Sequence, residues 1–203
     1  MKFTVLMGSP RPEGNTAALL RPFLEECTRM GVETHCFRLN ELSLSPCRGC
    51  MACQEVPDRL GCVQEDDLSK VFEAMKDCDV MVLATPIYSW YCTPAMKALM
   101  DRAIYAGNKY YGREKGASLL EGRRVATVVT CGYRPQEGAD LWEQGLKRWC
   151  THGKMEYMGM LCRRDLGRKV PFLDEEKEQA ARDFAQAICL AVKTEELCAQ
   201  EFI

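Results

Sequence analysis

Short apolar runs that alternate with helical patterns constrain the fold of this chain of 203 residues more than any other feature. The run at 79–85 shows no alternation of polar and apolar residues, which is typical of a strand covered on both faces. Strands separated by helices form a parallel sheet with right-handed crossovers, so we predict an α/β fold. The predicted strands cover 3–7, 32–39, 79–85, 124–130 and 157–161, and the predicted helices cover 15–30, 67–78, 94–106, 139–150 and 174–197.

Composition and charge are those of a globular protein, and we expect a single domain over residues 1–203. Apolar residues make up 47% of the chain, and the net charge of -2 gives no basic field for nucleic acid or an anionic membrane. No apolar run approaches the ~18 residues of a membrane helix, and no secretory signal is recognised, so we predict a cytoplasmic protein. The 13 cysteines are an odd number and cannot all join a closed disulfide framework.

The segment after the first predicted strand has the chemistry of a phosphate-binding loop. It covers 8–16 and leads directly into a helix, whose N-terminus presents unpaired N–H groups and a partial positive charge. Ser9, Asn15 and Thr16 supply polar side chains, and Arg11 supplies a positive charge. The motifs for a dinucleotide pyrophosphate and for a nucleoside triphosphate are absent, which favours a terminal monophosphate. The alternative is a polar turn that only caps the helix.

A second loop, after the third predicted strand, suits a planar ligand. Tyr88, Trp90 and Tyr91 lie within four residues and can stack on a flat ring, while backbone N–H groups face its heteroatoms. Ligands of parallel sheets bind beyond the carboxyl ends of the strands. The two loops together therefore favour a flat, phosphorylated cofactor. The alternative is an aromatic loop that packs against its own domain or against a partner subunit.

These loops resemble those of the NADPH-dependent FMN reductases, a branch of the flavodoxin-like superfamily. The matching strings are Gly8-Ser9-Pro10-Arg11 with Gly14-Asn15-Thr16, Thr85-Pro86-Ile87-Tyr88, and the helix at 94–102. The resemblance implies a flavodoxin-like three-layer sandwich with a five-stranded parallel sheet in the order 2-1-3-4-5. It implies that the FMN phosphate is held by Ser9, Arg11, Asn15, Thr16 and Ala17. It further implies that the isoalloxazine is lined by Pro86, Ile87, Tyr88, Ser89 and Trp90, with the loop Cys131-Gly132-Tyr133 on its other side.

The resemblance also implies an activity, with the chemistry at flavin N5 rather than at a catalytic side chain. Hydride would pass from NADPH or NADH through FMN to a free flavin, a quinone or a similar small acceptor. Members of the family are commonly dimers or tetramers, so a homodimer or tetramer is expected. A flavodoxin-type electron carrier or a thiol sensor, neither of them an enzyme, is the alternative.

A cysteine-rich segment at 46–62 carries a further hypothesis. Cys47, Cys50, Cys53 and Cys62 have the spacing C-x2-C-x2-C-x8-C, which can present thiolates to an iron–sulfur cluster. The segment resembles the iron–sulfur flavoproteins, a subgroup of the same family in which the last gap is usually shorter. This resemblance implies a 4Fe-4S cluster near FMN and a ferredoxin-like partner that delivers single electrons. Free or redox-active thiols and a zinc site are the alternatives.

Several local patterns give predictions about the scaffold. Thr93 followed by Pro94 is typical of a helix N-cap, and Asp66-Asp67 is expected to cap the helix that follows it. Asp101 and Arg102 are assigned to scaffold hydrogen bonding. The segment at 107–122 is expected to be a variable surface insertion, and the last helix is expected to bury the stripe Ala180, Phe184, Ala187, Ile188 and Ala191.

Overall fold

In the computed structural model, the described residues form a five-stranded parallel sheet in the order β2-β1-β3-β4-β5, with helices on both faces, as predicted. The structure describes residues 1–109, 118–167 and 169–200, and for 195–200 the backbone alone. The strands are β1 (Lys2–Met7), β2 (Glu33–Arg38), β3 (Val80–Pro86), β4 (Arg124–Cys131) and β5 (Glu156–Arg164). The helices are α1 (Asn15–Arg29), α2 (Leu68–Asp77), α3 (Pro94–Gly107), α4 (Pro135–Gly138), α5 (Asp140–Gly153) and α6 (Glu175–Gln200), with short 3-10 helices at Leu39–Glu41 and Ala52–Glu55.

Two helix layers bury separate sets of apolar side chains against the sheet. Helices α1 and α6 cover one face, where Val5 and Val82 pack with Leu19 and Ile188. Helices α2, α3 and α5 cover the opposite face of the sheet. There, Leu6 and Leu83 pack in one cluster with Phe72, Met96 and Trp142. Every residue of β3 is buried, which confirms that the run without alternation is a strand covered on both faces.

The strand order brings the two predicted ligand loops together. The order reverses between β1 and β3, and the crevice beyond the carboxyl ends of such strands is where ligands bind in open α/β sheets. The amide of Gly8, just after β1, donates to the carbonyl of Ala84 in β3 at 2.8 Å. The amide of Ile87, just after β3, donates to the carbonyl of Thr130 in β4 at 2.8 Å. The loops after β1, β3 and β4 therefore share one edge of the sheet.

Some of the local predictions are corrected by the structure. Thr93 is at the N-cap position of α3, but its hydroxyl donates to the carbonyl of Gly8 at 2.7 Å and not to its own helix. The buried stripe of α6 is displaced from the predicted one by about one residue, which is a rotation about the helix axis. Ile188 is buried as predicted, and Ala180 and Phe184 are half-buried. Ala187 and Ala191 are exposed, whereas the buried positions include Ala181 and Ala185. The displaced stripe packs on α1.

Residues 110–117 of the predicted insertion at 107–122 lie outside the described residues. The two ends of this segment are joined, because Asn108 and Ser118 form an antiparallel bridge and the amide of Leu119 donates to the carbonyl of Gly107 at 2.7 Å. Among the residues described, no helix has the length and apolar character needed to cross a membrane.

Candidate functional site

The phosphate loop closes on itself through Ser9 and Gly14. The Ser9 hydroxyl donates to the carbonyl of Arg11 and accepts from the amide of Arg11, both at 3.2 Å. The amide of Gly14 also donates to the carbonyl of Arg11, at 3.1 Å. A Cβ atom at position 14 would lie 3.0 Å from the Cβ of Arg11, so this tight wrap favours glycine. The loop is thus held in shape by its own hydrogen bonds.

The N-terminus of α1 opens into this loop. Its N-cap is Gly14, and within the described part of the chain no side chain caps the helix. The amide of Ala18 makes the first intrahelical bond, to the carbonyl of Gly14 at 3.0 Å, so the amides of Asn15, Thr16 and Ala17 precede the helical ladder. The side chain of Arg11 is exposed beside them. Backbone donors, the helix dipole and a guanidinium therefore meet at one place suited to an anion.

Thr16 has a different place from the other predicted phosphate ligands. Its hydroxyl is buried and lies 2.8 Å from the hydroxyl of Thr130 at the end of β4. This bond fixes the first turn of α1 against the sheet edge and leaves the Thr16 amide directed along the helix end. Asn40, which the sequence did not indicate, donates from Nδ2 to the carbonyl of Gly8 at 3.0 Å. Its position after β2 gave no signal, because the contact is made by the fold and not by a local motif.

The loop after β3 is a tight turn that presents its aromatic side chains. Tyr88 and Tyr91 exchange backbone hydrogen bonds of 2.8 and 3.0 Å, and the two residues between them, Ser89 and Trp90, have φ of 48° and 64°. Positive φ at both central positions is the pattern of a type I′ turn, which glycine or asparagine usually occupies. Non-glycine residues in this region are strained, and such strain concentrates at functional sites.

The aromatic loop meets the loop after β4. The ring of Trp90 stacks on the ring of Tyr133, with centroids 5.9 Å apart and planes inclined by 15°. Both rings are about half exposed, at 47% and 58%. Gly132 is exposed, and its carbonyl accepts a hydrogen bond from Nε of Arg164 at 3.1 Å. Of the predicted ring-binding residues, Tyr88, Ser89 and Trp90 are therefore exposed on one surface with Gly132, whereas Pro86 is buried at the end of β3 and Ile87 is half-buried.

The four cysteines of the 46–62 segment line one small cavity between that segment and α3. Its volume is about 20 Å³, which is room for roughly one water molecule. Gly49, at φ 65°, directs its amide to Sγ of Cys47 at 3.5 Å. Burial raises the pKa of the Cys53 thiol, and nearby Lys109 opposes this shift. Among the described residues no three His, Cys, Asp or Glu side chains converge as metal ligands.

Arg102 of α3 holds the cysteine-rich segment by hydrogen bonds, as the scaffold assignment predicted. Its side chain is buried, with Nη1 2.5 Å from the carboxylate of Asp66 and Nη2 3.3 Å from Sγ of Cys62. Burial opposes ionisation of Asp66, but hydrogen bonds from Arg102 and from the amides of Ser45 and Leu68 hold its pKa below the usual value. Asp66 thus accepts the Leu68 amide at the start of α2, as expected of a cap.

Two buried polar atoms beside this cavity lack partners. Nε of Arg102 and Oε1 of Gln64 make no hydrogen bond to any part of the chain that the structure describes. Both residues line the cavity that the cysteines share. The buried amine of Lys109 donates to the carbonyl of Cys53, one of the lining residues, at 2.8 Å. Arg102 and Lys109 both tie the segment to distant parts of the chain.

A comparison with protein families gives the classification. Residues 1–159 match the family described as NADPH-dependent FMN reductase. The chain belongs to this family. An iron–sulfur flavoprotein of Methanocaldococcus jannaschii is 38% identical over 103 residues, which are 51% of this chain and 52% of that protein. An iron–sulfur flavoprotein of Methanosarcina thermophila is 32% identical over 154 residues, which are 75% of each chain.

The aligned region is shorter than some of these relatives. It spans 52% of the protein from Methanocaldococcus jannaschii and 61% of one from Archaeoglobus fulgidus, which is also called an iron–sulfur flavoprotein.

Solved structures confirm the fold. An FMN-dependent NADH-azoreductase from Bacillus anthracis, in complex with FMN, superposes with a TM-score of 0.68 at 15% identity, covering 94% of this chain and 98% of that one. An NAD(P)H:quinone oxidoreductase from Methanothermobacter marburgensis gives a TM-score of 0.65 at 16% identity, covering 92% and 97%. The architecture is that of flavodoxin-like FMN reductases.

Proposed function

We propose that this family member is an oxidoreductase that holds FMN between the phosphate loop, the Pro86–Trp90 turn and the loop at Gly132. The observation that carries the proposal is the open N-terminus of α1, whose first amides face the loop of Ser9 and Arg11 next to exposed aromatic rings. Bound FMN would supply hydride and single-electron transfer at its ring. The chain would hold the phosphate with amides and Arg11, and would shield the ring with Trp90 and Tyr133.

A pair of variants tests the phosphate assignment. Asn15→Ala removes a side-chain donor at the first residue of α1 and is expected to weaken FMN binding by ~1–2 kcal/mol. Thr28→Ala, near the other end of the same helix, removes a hydroxyl that donates only to the carbonyl of Leu24 and is expected to leave FMN affinity unchanged. Quenching of flavin fluorescence in titrations of the apoprotein measures both. Equal affinities for FMN in the two variants would place the phosphate elsewhere.

We propose NADPH or NADH as donor and a flavin, quinone or similar small molecule as acceptor, on the strength of the family. The donor and the acceptor would stack in turn on the exposed face of the flavin, beside the half-exposed rings of Trp90 and Tyr133. Steady oxidation of NAD(P)H that depends on added quinone and saturates with it supports this activity. A rate that does not exceed that of free FMN would instead favour an electron carrier.

A second cofactor is proposed at Cys47, Cys50, Cys53 and Cys62, and the relatives named iron–sulfur flavoproteins support it. The donor set is four sulfurs with no carboxylate among the cavity-lining residues that the structure describes, which suits an iron–sulfur cluster. The unpartnered Nε of buried Arg102 fits an anionic group there. A 4Fe-4S cluster would supply single-electron transfer, and a ferredoxin-like protein would be its partner. The cavity is small, so the exposed side of the segment must open to admit it.

Metal analysis after anaerobic purification tests the second cofactor. We expect iron and acid-labile sulfide in the wild-type protein and their loss in Cys50→Ser. Cys36→Ser is the matched control, because Cys36 is also exposed but lies in β2, outside the segment. Zinc in place of iron, or no metal in the wild type, would favour one of the two alternatives, a zinc site or free thiols.

We also propose that the protein is a homodimer or tetramer in the cytoplasm. The exposed Tyr88, Trp90 and Tyr133 would then lie near a subunit interface as well as near the flavin. Light scattering on the purified protein measures the oligomer, and a monomer at micromolar concentration would contradict the assignment.

A further inference from the structure

Two cysteines at the carboxyl edge of the sheet form a thiol pair that the proposed cofactors do not use. Cys131 is the last residue of β4, and Cys162 lies in β5. Their sulfur atoms are 3.5 Å apart, and the residues are 3% and 6% exposed. Cys131 directly precedes Gly132 and Tyr133, so the pair lies immediately beneath the loop assigned to the flavin.

The hydrogen bonds of the pair make its two members chemically different. Sγ of Cys131 donates to the carbonyl of Tyr133 at 3.2 Å, so the hydrogen between the two sulfurs belongs to Cys162. That bond from Cys162, with a contribution from Arg164, lowers the pKa of Cys131, and the pKa of Cys162 is raised correspondingly. One sulfur is thereby favoured as the thiolate that attacks, and its neighbour as the thiol that resolves.

The position of β5 allows the sulfurs to approach. A disulfide bond is about 2.05 Å long, so the sulfurs must close by about 1.5 Å. Within the described sheet β5 is an edge strand that pairs with β4 alone, so its carboxyl end can shift against β4. Cys162 lies opposite Val129, two residues before Cys131 and therefore on the same face of the sheet.

We propose that Cys131 and Cys162 are a redox-active dithiol that a peroxide converts into an intramolecular disulfide. The Cys131 thiolate attacks one oxygen of the peroxide, breaks the O–O bond and becomes a sulfenic acid. The Cys162 sulfur then attacks the Cys131 sulfur and expels water. With hydrogen peroxide, two thiols and one peroxide give one disulfide and two waters.

Oxidation of this pair is expected to change the conformation of the loop at Gly132 and Tyr133. A disulfide has no S–H group, so the carbonyl of Tyr133 loses the donor that now holds it. Tyr133 stacks on Trp90, and the stack forms one wall of the proposed ring site. Disulfide formation is therefore expected to weaken FMN binding, and this consequence alone depends on the proposed function.

Peptide mapping tests the disulfide directly. Trypsin releases residues 125–147 and 155–163, each of which contains a single cysteine, because Arg134 precedes proline and is not cleaved. After brief treatment of the folded protein with hydrogen peroxide and blocking of free thiols, we expect these two peptides as a linked pair that dithiothreitol separates. Cys131→Ser and Cys162→Ser must both abolish it.

A second thiol pair provides a matched comparison. Cys27 of α1 and Cys189 of α6 also hydrogen-bond to each other, but both are fully buried between helices, away from the loops. Their tryptic peptides each carry one cysteine too, and we expect them to stay unlinked under the same treatment. Absence of the 131–162 link, or equal linking of both pairs, would overturn the proposal. Titration of the oxidised and the reduced protein with FMN then measures the effect of the disulfide on FMN affinity, independently of whether the disulfide forms.

Discussion

Arg102 shows how a single buried charge can organise a functional segment. Its guanidinium joins α3 to Asp66, Cys62 and the carbonyl of Ser45, so that one side chain fixes both ends of the cysteine-rich segment. The Arg102–Asp66 pair is almost completely removed from solvent, with side chains 1% and 6% exposed. Removing one partner of such a pair leaves the other charge buried without compensation.

Arg102→Met is therefore expected to lower the free energy of unfolding by ~3–5 kcal/mol, measured by urea denaturation. The control is Lys97→Met on the same helix, which breaks the exposed Lys97–Asp101 pair and is expected to cost less than ~0.5 kcal/mol. A similar small loss in both variants would show that Arg102 does not hold the segment in the folded protein.

The strained turn makes a second prediction at the residue scale. Ser89 has φ 48°, a conformation that costs an L-residue roughly 1–2 kcal/mol and costs glycine nothing. Ser89→Gly is thus expected to be neutral or stabilising by up to ~1 kcal/mol, although glycine normally destabilises a folded chain by ~0.5–1 kcal/mol. Thermal unfolding compares it with Ser43→Gly, at a position without positive φ. Equal destabilisation in both variants would mean that the turn is not strained.

At the scale of elements, the contact between α1 and α6 depends on a buried carboxylate. Glu26 of α1 accepts hydrogen bonds from Arg29 on its own helix and, at 2.6 Å, from Gln186 of α6. These two bonds lower the pKa of Glu26 to about 2, against the opposing effect of burial. Because the folded pKa is depressed, the stabilisation is present above the unfolded pKa of about 4.3 and is lost as pH falls through the folded value.

The pH dependence of stability measures this contact. Between pH 5 and pH 2 the wild-type protein is expected to lose more stability than Glu26→Gln, which has no carboxylate to protonate at that position. Glu25→Gln is the control, since Glu25 is exposed and pairs with Arg182 at the surface. The stability of Glu25→Gln should fall with pH as that of the wild type does. If the stability of Glu26→Gln falls equally steeply, the Glu26 carboxylate does not stabilise the contact between the two helices.

Element boundaries show what the sequence could not supply. Strand β5 was predicted over 157–161 but extends from Glu156 to Arg164, because Arg163 and Arg164 continue the ladder with β4 despite their charge. The buried stripe of α6 was misplaced since small alanine side chains mark helix faces weakly. Thr93 followed by proline is typical of a helix N-cap, yet the Thr93 hydroxyl donates to the carbonyl of Gly8. Only the tertiary fold brings these two residues together.

At the scale of the whole molecule, the sequence predicted the strand order and the edge at which the loops meet. The parallel sheet was predicted because buried strands and their helices leave strong local patterns, whereas the strand order followed from the resemblance to a known family. The supports of the site, Asn40, Arg102 and Lys109, act through contacts between distant segments. Arg102 was assigned only a general scaffold role, and neither Asn40 nor Lys109 was identified, because a lone polar residue gives no pattern to read.

The central claim is that the loop after β1 binds the phosphate of FMN, while the isoalloxazine ring of the same molecule lies against the aromatic turn after β3. Parallel titrations of the apoprotein with FMN and with riboflavin, followed by flavin fluorescence, test it most directly because the two ligands differ only in the phosphate. Two or more charge-assisted hydrogen bonds predict that FMN binds at least ~100-fold more tightly. Equal affinity for the two flavins, or binding of neither, would contradict the account.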